Sequence, residues 1–197
     1  MIMEILKELD FFIESLFDQI GYLAVILAGF LIVIESILPI LPLAVFITLN
    51  IYYFGAIVGF LISWILTCVG CYISFYLFRN KVKFWFDKKL IERNRKRLNK
   101  LMVGVDNLKF EQLTLLIANP FTPAFMINIV AGLSSMKKRK FISSILIGKI
   151  FLVIFWGFIG TSLIDSLKDP FKILYVVVLS VLAYIVSKII NKKYNIE

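Results

Sequence analysis

The sequence predicts an all-α polytopic membrane protein: an inverted repeat of two opposed re-entrant, proline-broken hairpins with about four transmembrane helices. Three observations lead there. The chain of 197 residues is 60% hydrophobic with mean hydropathy +0.91, which is more apolar surface than a soluble core of this length buries. Pro39-Ile-Leu-Pro42 followed by Asn50 and Gly55, and Pro120-Phe-Thr-Pro123 followed by Asn128 and Gly132, repeat one device inside apolar stretches. Proline removes a backbone donor and breaks a helix, so paired prolines at membrane depth imply backbone that dips in and returns, its freed groups satisfied by protein or a wet cavity. Finally, the formal charge of +9 is concentrated, with eleven Lys/Arg against three acids in residues 79–109. Beside an apolar span, such a segment is a positive-inside signal with attraction to anionic headgroups, and no nucleic-acid partner is expected.

The elements follow in order. In residues 1–20, Ile2, Ile5, Leu6, Leu9, Phe12, Ile13, Leu16, Phe17 and Ile20 recur at helical steps between Glu4, Glu8, Asp10, Glu14 and Asp18. That is an amphipathic helix, too charged to span and suited to the interface. The start lacks the basic, apolar and small-residue regions of a signal peptide, so the chain is expected to keep it. From there a single membrane domain over 21–190 is expected.

Residues 21–78 carry Glu35 as their only charge. They accommodate a span at 21–38, a re-entrant hairpin at 35–53 and a span at 55–78, with Tyr52 and Tyr53 marking an interface. Three full spans in this stretch are the alternative. Residues 79–110 form a basic, mostly helical cytoplasmic segment. Residues 111–136 are apolar, proline-broken and flanked on both sides by basic residues, Lys109 before and Lys137-Lys-Arg-Lys140 after. If both flanks are cytoplasmic, the segment enters and leaves on one side as a second re-entrant hairpin. Spans at 141–164 and 171–190 follow, then a tail at 191–197. Both termini are expected on the cytoplasmic side of a bacterial-type cytoplasmic membrane, and homo-oligomeric assembly is left open.

Charges within spans are costly, about 2.5–3.5 kcal/mol each on insertion scales, so Glu35 and Lys149 need a reason. Lys149 lies nine residues beyond Lys140, about 13 Å along a helix. Snorkelling explains Lys149 without a function, and a neutral, hydrogen-bonded acid near the outer rim explains Glu35 in the same way. The functional alternative is an anionic headgroup met by half-helix N–H groups, Lys149, and the polar side chains of Asn50, Asn119, Thr122 and Asn128. Those polar residues serve equally to satisfy the hairpin backbone. Gly132, Gly148, Gly157 and Gly160 suit close helix packing. Cys68 and Cys71 make a lone C-x-x-C in an apolar helix, and the chain has no His. No metal, cofactor or nucleophile–base pair is expected, hence no enzyme.

Glu35-Ser-Ile-Leu-Pro-Ile-Leu-Pro42, the helix end from Gly70 to Arg79, and Pro120-Phe-Thr-Pro-Ala-Phe-Met-Ile-Asn-Ile-Val-Ala-Gly-Leu-Ser-Ser-Met136 through Gly148-Lys149 resemble the DedA family. It is also called the VTT-domain or SNARE-associated Golgi protein family, and the resemblance covers roughly residues 20–165. It implies opposed re-entrant hairpins and movement of lipids across the bilayer, since some bacterial relatives recycle undecaprenyl phosphate and eukaryotic ones scramble phospholipids. It nominates Glu35, Pro39, Pro42, Arg79, Pro120, Pro123, Asn128, Gly132 and Lys149. Two positions depart from the pattern: many members have an acid where Cys71 stands and an Arg where Ile117 stands. The expected function is a translocase or scramblase of a phosphate-bearing lipid. The rivals are a proton-coupled transporter of a small solute or ion, with Glu35 as carrier, and a non-transporting assembly factor using the basic segment.

Overall fold

Proline and glycine decide where the helices stop. The computed structural model describes residues 22–37, 43–82, 92–166 and 172–194. The expected amphipathic helix at 1–20 and the prolines Pro39 and Pro42 lie outside the described residues. The elements are α1 (Tyr22–Glu35), α2 (Leu43–Leu77) running into a π-helical turn (Phe78–Val82), α3 (Glu92–Asn107), α4 (Phe110–Ala118), α5 (Ala124–Leu133), α6 (Lys138–Ser166) and α7 (Lys172–Tyr194). Among the described residues there is no strand.

α2 is two helices joined at Gly55, whose φ of 78° and ψ of 167° suit only glycine. The arms 43–54 and 56–77 fold back on each other. The Asn50 amide donates to Ser63 Oγ at 3.0 Å across thirteen residues, a separation that a straight helix would stretch to about 20 Å. Gly59 sits against the Asn50 carbonyl, where any side chain would collide with backbone. The reversal therefore falls at Gly55, just beyond the 35–53 expected for the first hairpin.

The second break is made by proline. Asn119 precedes Pro120 and is extended (φ −73°, ψ 117°), as the residue before a proline must be, so α4 ends at Ala118. The Thr122 N–H donates to the Asn119 carbonyl at 3.2 Å, a tight turn with Pro120 at its favoured second position. α5 then starts after Pro123 with no side-chain cap. Among the described residues both halves of the chain present a helix, a short helix and a long helix in the same order: α1, arm 43–54 and arm 56–77, then α4, α5 and α6.

The two long helices pack antiparallel. Trp64 Nε1 donates to the Leu146 carbonyl at 2.9 Å, Cys68 Sγ to the Ile145 carbonyl at 3.8 Å, and Phe75 stacks on Phe141 at 4.3 Å. Around that stack lies a buried apolar cluster including Cys71, Leu113, Leu116, Ile117, Ile127, Val130 and Ile145. The arm 43–54 rests on Gly157 and Gly160 of α6, with Thr48 occupying the space that a side chain at 160 would need.

Among the described residues, three helical stretches are long and apolar enough to cross a membrane: Leu43–Asn80, Lys138–Asp165 and Ile173–Lys192. Arm 56–77 alone rises about 33 Å, enough for the roughly 30 Å hydrocarbon layer. The span expected at 21–38 is not among them, because α1 has 14 residues, about 21 Å. Large apolar side chains such as Ile57, Phe151, Tyr175 and Ile189 point outward, as a lipid-facing surface requires. The protein is an integral membrane protein.

A candidate functional site between the two turns

The end of α1, the start of α2, the second proline turn and one face of α6 enclose a cavity of about 370 Å³. Its wall has a charged part, Glu35 and Lys149, and an aromatic part, Phe121, Phe125 and Trp156. Leu43 and Ala44 at the start of α2, and Ala124 and Phe125 at the start of α5, also face it. First-turn N–H groups have no partner within their helix, so two positive helix ends converge on this space.

Lys149 is the notable member. It is 2% exposed, and among the described residues it has neither hydrogen-bond nor ion-pair partner. Its neighbour Gly148 packs so tightly on Ile117 and the Thr114 carbonyl that α4 and α6 are nearly in backbone contact, which fixes the direction of the lysine. A snorkelling lysine carries its ammonium out to water; this one ends in the cavity beside Glu35, within electrostatic range of it.

Of the nominated residues, the structure brings Glu35, Pro120, Thr122, Pro123 and Lys149 together on this cavity. It places Asn50, Asn128, Gly132 and Arg79 elsewhere, while Pro39 and Pro42 lie outside the described residues. Asn50 is occupied by Ser63 inside its own hairpin. Asn128 donates to the Ser36 carbonyl at 3.2 Å, tying α5 to the end of α1. Gly132 lets α5 approach the Phe75 carbonyl and Phe78, where a Cβ would come within 2.7 Å and 2.9 Å. Arg79 is a clasp: Nε donates to Gly132 O at 3.2 Å, Nη1 to Met136 O at 2.7 Å, and Nη2 to Ala131 O and Ser134 O at 2.9 Å each. Its guanidinium also lies 4.4 Å over the Phe75 ring. Those carbonyls end α5, so Arg79 neutralises a negative helix terminus and is outside the cavity wall.

The sequence reading passed over Phe121, Trp156 and Asn191. Phe121 meets Phe155, Trp156 and Tyr184 edge-on at 6.3, 6.1 and 5.7 Å. Asn191, counted with the tail, is buried against the second turn. No local pattern marks it; only the antiparallel return of α7 brings it there. Cys71 and Ile117, where many DedA proteins have an acid and an Arg, share one apolar cluster. Replacing two buried polar positions together by apolar groups leaves neither charge stranded.

Residues 41–162 match the VTT domain. The chain is similar to "Uncharacterized membrane protein YhjE" of Bacillus subtilis (strain 168), 33% identical over 180 residues, covering 90% of this chain and 85% of that protein. It is also similar to "Uncharacterized protein YqeD" of the same organism, 24% identical over 174 residues, covering 88% and 80%. No solved structure matches. The matched span runs from just before α2 through most of α6, including the face that carries Lys149, and the chain belongs to the VTT-domain, or DedA, family of membrane proteins.

Proposed function

We propose that the protein is a translocase or scramblase of the bacterial cytoplasmic membrane that passes a phosphate-bearing lipid headgroup through the cavity between the two turns. Undecaprenyl phosphate and anionic phospholipids are the substrates of this chemistry. No bond is made or broken, so the protein is not an enzyme. One observation carries the reading: Lys149, buried and with no hydrogen-bond or ion-pair partner among the described residues, lines a cavity that the start of α5 also faces. A buried cation is costly, and an anion arriving there reduces the cost while meeting the first-turn N–H groups of α5.

The repeated order of helix, turn, short helix and long helix, with antiparallel long helices, supports an inverted repeat whose turns approach the cavity from opposite leaflets. In this arrangement Lys109 and Lys137–Lys140 flank the second hairpin on the cytoplasmic side, and both termini are cytoplasmic. Glu35 on the same wall favours a second reading, proton-coupled transport of a small anionic solute.

Reconstitution in liposomes tests both. Labelled anionic lipid should become accessible to a membrane-impermeant quencher in proteoliposomes with no pH gradient, faster than labelled neutral lipid. Equal rates for all headgroups, or transport of a soluble anion only under a pH gradient, would overturn lipid movement.

A further inference from the structure

The second proline turn is tied to the far end of the chain. The Phe121 N–H donates to Asn119 Oδ1 at 3.3 Å, which fixes the turn locally. The Asn119 amide donates to Thr122 Oγ1 at 2.6 Å, and the Thr122 hydroxyl donates onward to Asn191 Oδ1 at 2.8 Å. Asn119 Nδ2 also lies 3.4 Å from that oxygen. Asn119, Thr122 and Asn191 are all buried, so this short network operates without competing water. Among the described residues, the hydrogen bonds from the turn to α7 end on one atom, Asn191 Oδ1.

Between Asn119 and Thr122 sits Phe121, which forms cavity wall and meets Tyr184 of α7 on its other side. Elsewhere α7 is held weakly. Most of its apolar side chains are exposed, and its packing among the described helices is chiefly on α6. Beyond its packing on α6, α7 holds the second turn through Asn191 and Tyr184, so a shift of α7 is passed to Phe121 and the cavity wall that it forms.

We infer that Asn191 is a positioning residue: through Thr122 and Asn119 it latches α7 to the second proline turn, and release of the latch swings Phe121 away and opens the cavity sideways to the bilayer. The inference rests on the proposed transport site for its functional meaning, while the latch itself is a matter of geometry. A lipid route needs such a lateral opening, because the acyl chains stay in the membrane while the headgroup crosses.

Trp156 lines the cavity beside Phe121 and reports the opening directly. With Trp64→Phe and Trp85→Phe, it is the sole tryptophan. In vesicles of phosphatidylcholine with brominated acyl chains, Asn191→Leu should increase quenching of Trp156, with the open population rising roughly fivefold, the effect of losing one neutral hydrogen bond. Thr122→Val should do the same from the other side, and it supplies the test if Asn191→Leu fails to insert. Asn191→Asp keeps the acceptor oxygen and should quench like the parent, whereas a mere packing role predicts that Leu, the closer apolar match, is the silent substitution. Unchanged quenching in Asn191→Leu and Thr122→Val, or Asp behaving like Leu, overturns the latch. Lipid transfer measured on the same vesicles tests the transport reading separately: a latch seen in fluorescence together with unaltered transfer would refute the cavity as the route and leave the latch standing.

Discussion

Replacing Lys149 by Met separates a ligand-binding lysine from a structural one. Met keeps most of the stem and removes the charge. Among the described residues the ammonium has no hydrogen-bond or ion-pair partner, so the substitution gives up the attraction to Glu35 and relieves the desolvation of a buried cation. Insertion scales put a central lysine at about 2.5–3.5 kcal/mol unfavourable, so Lys149→Met should melt at the same temperature as the parent or higher. A phosphate bound by that ammonium would lose a charge-assisted hydrogen bond of about 1.5–3 kcal/mol, or roughly 10- to 150-fold in apparent affinity. The assay is initial-rate transfer of labelled anionic lipid in proteoliposomes at increasing lipid fraction, alongside thermal unfolding in detergent. Stability kept and half-saturation raised supports the assignment. Normal concentration dependence would refute the phosphate site, and a marked fall in melting temperature would make the lysine a fold element.

Arg79→Met should act in the opposite sense, destabilising by at least about 2 kcal/mol through loss of four carbonyl contacts, as read by thermal unfolding. Arg79→Lys should restore little, since a single ammonium cannot reproduce the planar fork; a melting temperature at the parent value in either variant contradicts the clasp. Gly59→Ala drives a methyl into the Asn50 backbone and should cost about 1–3 kcal/mol, while Gly104→Ala, in open space on α3, should gain about 0.5–1 kcal/mol, so equal melting points would sink the close-approach argument. Cysteines at Glu111 and Ser135, in a chain lacking Cys68 and Cys71, should both react with an impermeant maleimide from the cytoplasmic side, and labelling from opposite sides would make 111–136 a true span.

The breaks and the long helices were legible because each is written in local chemistry: Pro120 and Pro123 stop α4 and delay α5, and charge-free runs mark what must face lipid. Lys149 and Glu35 stood out for the same reason, as charges in apolar sequence. The apparent equivalence of the two proline devices misled at finer grain. Asn50 and Asn128 look alike in spacing, yet one bonds within its own hairpin and the other reaches α1. Gly55 is a turn with positive φ, and Gly132 is a helix contact. Arg79 is nominated by the resemblance alone, and its partners, a set of backbone carbonyls more than fifty residues away, have no side-chain signature that would reveal the clasp. Asn191 is marked by no local pattern, because its partners Thr122 and Asn119 lie about seventy residues earlier in the chain.

The Arg79 clasp also has a meaning in time. Its acceptors lie 52 to 57 residues further along the chain. At synthesis rates of about 5–20 residues per second, the guanidinium waits on the order of 3–10 s before the carbonyls that receive it exist. During that interval the first half of the molecule ends in a cation that has the Phe75 ring but none of its four carbonyl acceptors, so it cannot complete its native contacts ahead of the second half. The nascent chain therefore matures as one unit: a fragment ending before residue 131 should be a ready substrate for membrane quality-control proteases, however apolar its helices.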